Sequence, residues 1–364
     1  MRGAKCSPSS MVQYQWRPIC LIRRASVTVP AATVNDTEPQ HRTMARGESM
    51  AITTQPAARH GRELRHIVAA PVLERLVGRD TPGGMNPIPE GPAFDRSGRM
   101  FFISAFPDPD GYKVFRWDPE TNEVERIIAD SGIQLASLVI HRDGRLFFAD
   151  FTGGEHGGGR IACANADGTG YRTVVGEFDG TPVVPDDLVF AADGTMYYND
   201  FQGTAMNPTG RVIKVTPDGE QSLLLGGVAM PNGIALSVDE QRLWVSEHLT
   251  NRLIGVELEG RQAPESRVYA HFTGGLCDST TVDSADNVYQ AMYDGARVEV
   301  LDSEANPIGV VTPGTNPLRD YPRTTHVAIR PGETFGVLLA GGPTGIGIFT
   351  FEALAPGLIP FSHR

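Results

Sequence analysis

The amino-acid sequence predicts an all-β fold, a six-bladed β-propeller with four-stranded blades and end-to-end closure. Three observations carry that expectation. The chain holds 41 glycines and 27 prolines in 364 residues, a usage suited to short strands joined by tight turns and not to helical bundles. An apolar strand, a four-residue polar turn and a second apolar strand recur six times. The apolar residue before each turn is Phe94, Ile140, Phe190, Leu236, Val282 or Ile329, at intervals of 46, 50, 46, 46 and 47 residues, the length of one propeller blade.

The elements follow in chain order. Residues 1 to 49 carry seven basic and three acidic side chains, a net of +4 against −15 for the rest, and show no hydrophobic periodicity. Their apolar patch, Ile19 to Ile22, is too short for a secretory h-region. The stretch reads as a disordered or non-native extension. It resembles either an Arg-rich transit-like peptide or translated upstream sequence before a start at Met50. The second is preferred because Gly47-Glu48 is what a purine-rich ribosome-binding site would encode. Residues 50 to 364 are then a single propeller domain. A segment near His66 to Val77 is expected to pair with the last blade and hide both sheet edges.

The six turns are Asp95-Arg-Ser-Gly98, His141-Arg-Asp-Gly144, Ala191-Ala-Asp-Gly194, Ser237-Val-Asp-Glu240, Asp283-Ser-Ala-Asp286 and Arg330-Pro-Gly-Glu333. A second strand follows each, such as Met100-Phe-Phe-Ile-Ser or Leu146-Phe-Phe-Ala-Asp, and a third begins near Lys113, Arg160, Arg211, Arg252, Arg297 or Ile346. Fourth strands such as Val124-Glu-Arg-Ile-Ile close most blades.

Composition excludes several function classes. A net charge of −11 repels phosphate backbones, which argues against nucleic-acid and anionic-membrane partners and for a small molecule. Four cysteines, two of them in the N-terminal stretch, cannot build a disulfide framework or a cysteine-rich zinc site. No apolar run approaches the roughly 18 residues of a membrane span. The expectation is a soluble, cytoplasmic protein.

The residue four places before each anchor starts the innermost strand beside the central channel. These residues are Glu90, Ala136, Asp186, Asn232, Asp278 and Thr325. Four carry carboxylate or carboxamide oxygens, and three acids converging on one axis repel unless a cation holds them. Ser279 adds a further oxygen. An all-oxygen set suits a hard cation, calcium before magnesium or manganese, with zinc as a further substitute. Asp187 is one place further on and, by strand alternation, points away from the channel. Asp193, Asp239 and Asp283 read as turn formers. His156-Gly-Gly-Gly159 has no Gly-x-Ser-x-Gly partner, and Asp108-Pro-Asp110-Gly111 lacks the later EF-hand ligands, so both read as loops. His326, just inside the sixth inner strand, reads as a structural histidine near the channel.

Glu90-Gly-Pro, Asp186-Asp-Leu-Val-Phe, Pro231-Asn-Gly-Ile-Ala-Leu and Asp278-Ser, each followed by its turn and strand, resemble the senescence marker protein, gluconolactonase and luciferin-regenerating family. Asn199-Asp-Phe-Gln-Gly, Asn207-Pro, Ala291-Met-Tyr and Arg323-Thr-Thr-His326 extend the likeness over residues 85 to 335, toward the family's bacterial lactonases. The resemblance implies a six-bladed propeller with a catalytic divalent cation, usually calcium, that opens lactone rings. It implies Glu90, Asn232 and Asp278 as metal ligands, Ser279 as a further ligand, Asp186 as a catalytic-site acid near the metal, and Asp278 also as the position assigned proton transfer. It also implies a second, structural calcium, for which Asp179, Thr181 and the Gly157 to Gly159 loop are candidates. Two alternatives stand beside this: hydrolysis of an organophosphate or another ester at the same site, and a non-enzymatic propeller that binds calcium or a protein.

Overall fold

The computed structural model describes residues 64–74, 88–105, 108, 110–129, 132–152, 158–258, 265–314, 316–343 and 345–364. The N-terminal extension, the Met50 start and His156 lie outside the described residues.

The described chain is nearly all β, in a propeller-like arrangement. A long strand, β1 (Arg65–Glu74), comes first. Four separate four-stranded antiparallel sheets follow. They are β2 (Pro89–Phe94) to β5 (Val124–Ala129) through β3 (Met100–Ser104) and β4 (Tyr112–Trp117), then β6 (Leu135–Ile140), β7 (Leu146–Asp150), β8 (Arg160–Ala164) and β9 (Arg172–Val175). A hairpin, β10 (Glu177–Phe178) and β11 (Thr181–Pro182), precedes the third sheet, β12 (Pro185–Phe190), β13 (Met196–Asp200), β14 (Gly210–Val215) and β15 (Gln221–Val228). The fourth is β16 (Pro231–Leu236), β17 (Arg242–Glu247), β18 (Arg252–Glu257) and β19 (Glu265–His271).

The remaining strands form one eight-stranded sheet. It joins β20 (Leu276–Val282), β21 (Val288–Tyr293), β22 (Arg297–Leu301) and β23 (Pro307–Pro313) to β24 (Arg323–Ile329), β25 (Phe335–Gly342) and β26 (Gly345–Glu352) through β1. The short helix α1 (Pro317–Asp320) connects the halves. Six separate sheets were expected, and the merger has a simple cause. Arg65 to Ala69 run parallel to Gly309–Pro313 of β23, whereas Ala70 to Glu74 run antiparallel to β26. The expected N-terminal partner of the last strand is therefore present, and it satisfies a second edge as well.

Each sheet packs face to face on the next. Phe101, Ile103 and Val114 meet Leu138 and Phe148 in one buried cluster; Ala149 and Ile161 meet Leu188 and Tyr198 in the next. Equivalent clusters follow down the chain, and the set includes one in which Phe102, Phe115 and Trp117 of the first sheet pack with Val337, Leu339 and Ile348. Second strands such as β3, β7 and β13 are buried at every residue because a neighbouring sheet covers each face, which explains their unbroken apolar runs. The innermost strands are also neighbours in series, β2 with β6, β6 with β12, β12 with β16, β16 with β20, β20 with β24, and β24 with β2.

The turn-forming roles of Asp193, Asp239 and Asp283 hold: each accepts the backbone N–H two residues on. Asp108 does the same for Asp110 and Tyr112 and pairs with Arg126, so it is part of the fold. At the end of the channel opposite the strand starts, the C-terminal segment crosses from sheet to sheet. Gly357 bridges Asp283 and Pro331, Phe361 stacks on Phe190, and Arg364 pairs with Glu240. Among the described residues no helix is long and apolar enough to cross a membrane.

Candidate active site

The innermost strands share one irregularity. In the pairing of each with its second strand the register shifts between Glu90 and Ala93, Leu135 and Ser137, Pro185 and Leu188, Pro231 and Ile234, Cys277 and Thr280, and Thr324 and His326. Five of the shifts enclose the predicted channel position, and the sixth begins at it, at Glu90. A bulge inserts a residue and re-aims the side chains around it, so strand alternation fails there. Two small residues make room. A Cβ on Gly91 would lie 2.2 Å from the Leu138 nitrogen, and Gly91 has φ +58°. A Cβ on Gly233 would lie 2.5 Å from the Thr280 nitrogen. Adjacent inner strands thus approach more closely than any side chain would allow.

The bulges bring Glu90, Asp186, Asn232, Asp278 and Ser279 together. Ser279 Oγ donates to Glu90 Oε2 at 3.4 Å, and Asn232 hydrogen-bonds the Asp278 carboxyl. Burial, then the neighbouring charge of Asp187, pushes the Glu90 carboxyl well above the usual range. Burial followed by the charges of Glu90 and Asp187 does the same to Asp186. For Asp278 the causes are burial, then Glu90 and Asp186. Three acids from three sheets therefore oppose one another's ionisation. Ala136 and Thr325 complete the ring without charge, and Thr325 Oγ1 donates to the Pro89 carbonyl.

Asp187 does not face away. It is buried, accepts from Ser137 Oγ at 2.7 Å and from the Leu188 N–H at 2.8 Å, and its charge reaches Glu90 and His326. The bulge between Pro185 and Leu188 is the reason. His326 is likewise drawn in, with Nδ1 3.2 Å from Glu90 Oε2, while burial lowers its pKa. Asp187, Thr280 and His326 line one end of a cavity of about 230 Å³ that reaches toward Leu358 and Phe361 at the other end of the channel.

Asp179 and Thr181 stand apart from this cluster, exposed at the tip of the β10–β11 hairpin. Asp179 and Gly180 have φ of 51° and 69°, the left-handed pair of an Asp-Gly hairpin turn, so Asp179 serves the turn. Gly157 of the same candidate site lies outside the described residues.

An oxygen-only set of buried, mutually repelling acids fits a hard divalent cation in its donor chemistry. Asp186 has no hydrogen-bond partner for its carboxyl and no basic neighbour among the described residues. The side chains do not, however, form the finished cage that the sequence led one to expect. Among the described residues no group of three or more histidine, cysteine, aspartate or glutamate side chains is arranged to hold a metal ion.

Sequence reasoning missed two further layers. Asp150, Asp200 and Glu247 end the second strands of three sheets, fully buried, and each pairs with an arginine at or next to the start of the third strand. Each also accepts a backbone N–H from the incoming loop, at Gln134, Val184 or Ala229. The next residue in each case, Phe151, Phe201 or His248, caps the strand pair, and Tyr293 holds the same place against Leu276. The register puts all four two residues above the ring. They form a chain of ring contacts, Phe151 to Phe201 at 6.2 Å, Phe201 to His248 at 5.7 Å and His248 to Tyr293 at 6.1 Å. Reading the repeat at the residue after each second strand would have found this belt.

A family model described as the SMP-30/Gluconolactonase/LRE-like region matches residues 88–318. The chain belongs to this family. Among its relatives, the lactonase drp35 of Staphylococcus aureus (strain USA300) is 35% identical over 287 residues, 76% of this chain and 86% of that protein. Two solved structures share the SMP-30-like fold. A gluconolactonase from Xanthomonas campestris is 20% identical with a TM-score of 0.58, covering 80% of this chain and 99% of its own. The calcium-binding protein regucalcin from Agrobacterium tumefaciens str. C58 is 17% identical with a TM-score of 0.61, covering 81% and 99%.

Proposed function

We propose that this protein is a soluble, cytoplasmic lactonase of six blades that opens a small cyclic ester at the axial carboxylates. The observation that carries the reading is the mutual repulsion of Glu90, Asp186 and Asp278, buried together from three sheets. Family membership and the lactonase name of its relatives support it. The blade count is supported by the six inner strands contacting in series and by the cluster joining the first sheet to β25 and β26. On this reading the eight-stranded sheet is two blades bridged by β1.

Glu90, Asp186, Asn232, Asp278 and Ser279 would hold a divalent cation, calcium by donor type, with magnesium, manganese or zinc as substitutes. When bound, such an ion supplies Lewis acidity to the ester carbonyl and lowers the pKa of nearby water. The remaining work belongs to the chain. Asp186 is the better-placed base, because its carboxyl has no protein partner among the described residues, whereas Asn232 hydrogen-bonds Asp278. Asp186 takes a proton from water as the water oxygen bonds to the carbonyl carbon. The ring C–O bond then breaks, and the same carboxyl returns the proton to the leaving alkoxide, giving a hydroxy acid. A raised pKa favours this exchange near neutrality.

The test is a panel of lactones and phosphotriesters assayed on the full chain before chelation, after it, and after calcium return. Lactone hydrolysis that disappears and comes back is the expected result. No lactone turnover, or turnover unchanged in demonstrably metal-free protein, would overturn the reading.

A further inference from the structure

Tyr293 is a side chain near the ring whose polar group the proposed chemistry leaves unused. It ends β21 and pairs with Leu276, two residues before Asp278, which puts it one layer above the carboxylates. Met292, the preceding residue, is fully buried in an apolar cluster, so alternation turns Tyr293 out of that core. Two neighbours hold its ring. His248 lies at 6.1 Å and is itself anchored by Nδ1, which donates to the Cys277 carbonyl at 2.6 Å. The Arg323 guanidinium lies 5.5 Å from the ring centroid and pairs with Asp294 at 3.3 Å.

The phenolic hydroxyl has no hydrogen-bond partner among the described residues, yet it is near enough for the charges of Asp278 and Glu90 to reach it. A phenol is a neutral O–H donor near neutral pH. A clamped ring with a spare O–H one layer above the site carboxylates is preorganised for an acceptor atom that the protein does not supply.

We propose that Tyr293 is a substrate-positioning residue, donating its phenolic O–H to an ester oxygen of the lactone while Phe151, Phe201 and His248 wall the same mouth. This rests on the lactonase reading above. It describes a compact cyclic ester whose ring lies against the belt and whose carbonyl oxygen faces Tyr293. The water that Asp186 activates then meets the carbonyl carbon in a fixed orientation, which is where such a contact gains rate.

The experiment is Tyr293→Phe in the full chain, assayed with glucono-1,5-lactone and an unsubstituted δ-lactone. Phenylalanine keeps the contacts to His248 and Arg323, so melting temperature and calcium affinity should match the parent. The ratio kcat/KM should fall about 10- to 100-fold, the range for losing one well-placed hydrogen bond to a group that gains charge. A fall shared by kcat marks a bond made mainly in the transition state, and a rise in KM alone marks ground-state binding; either supports the assignment. Tyr293→Leu, which also removes the ring, should lose more. A parent that turns over lactone with an equally active Tyr293→Phe variant overturns the role of Tyr293 and leaves the lactonase reading standing. A parent with no turnover of either lactone overturns both.

Discussion

Asp150, Asp200 and Glu247 on one side, and Glu90, Asp186 and Asp278 on the other, are buried acids from neighbouring strands of the same repeat, and their surroundings are opposite. Asp200 receives the Val184 N–H at 2.7 Å and Arg211 Nε at 2.8 Å. Asp150 receives the Gln134 N–H, Thr152 and Arg160. Glu247 receives the Ala229 N–H, Thr250 and Arg252. Each of these charges is answered where it stands, and the product is a pinned loop. The axial acids face one another instead, and their pKa values rise. Burial alone therefore says little about a carboxylate; its partners separate a brace from a candidate binding site.

That contrast can be pressed from both sides. The largest effect is expected from Asp186→Asn, which should lower lactone turnover by about 10²- to 10⁴-fold, the span of general acid–base contributions. Its metal-free melting temperature should hold or rise, because the substitution removes a repelling charge. A large thermal loss would mean that Asp186 is braced like Asp200.

Asp200→Ala should show the reverse. It leaves the Arg211 guanidinium and the Val184 N–H without their acceptor, a loss of about 3–5 kcal/mol by chemical denaturation. If the variant unfolds at the parental midpoint, the acid–arginine pairs are not braces.

The pH dependence of the metal-free chain comes next. Burial and repulsion raise the carboxyl pKa values of Glu90, Asp186 and Asp278 in the folded state. The folded chain then retains protons that the unfolded chain releases above about pH 4. The contribution is favourable below that pH and is lost as pH rises through the raised folded values. His326, whose pKa burial lowers, acts in the opposite sense, so the measurement is made on His326→Gln. Denaturation midpoints of that chelated variant should fall from mildly acidic to neutral pH, and calcium should flatten the trend. A chelated variant that gains stability over that interval contradicts the repulsive cluster.

The smallest effect is expected at Asp187, which belongs partly to each class. Asn at this position still accepts from Ser137, so Asp187→Asn should cost about 1 kcal/mol and reduce turnover less than Asp186→Asn. If Asp187→Asn abolishes turnover in a well-folded protein while Asp186→Asn stays active, the two aspartates exchange roles.

Much of this architecture was legible from the chain alone. The repeat period and its polar turns marked the strands, because every sheet reuses one hydrophobic pattern. Comparing equivalent positions isolated Glu90, Asp186, Asn232 and Asp278, since a position that changes chemistry within a constant frame stands out. Tertiary structure decided the rest. Alternation counts residues on a regular ladder, and a bulge changes the count without any signature in the residue types, so Asp187 was turned the wrong way. The pairing of β1 with β23 as well as β26 depends on two edges meeting in space. The arginine partners of Asp150, Asp200 and Glu247, and the belt from Phe151 to Tyr293, come from contacts across strands and sheets. A repeating sequence determines what each strand carries; the closeness of one strand to another, which sets charge against charge, exists only after the chain has folded.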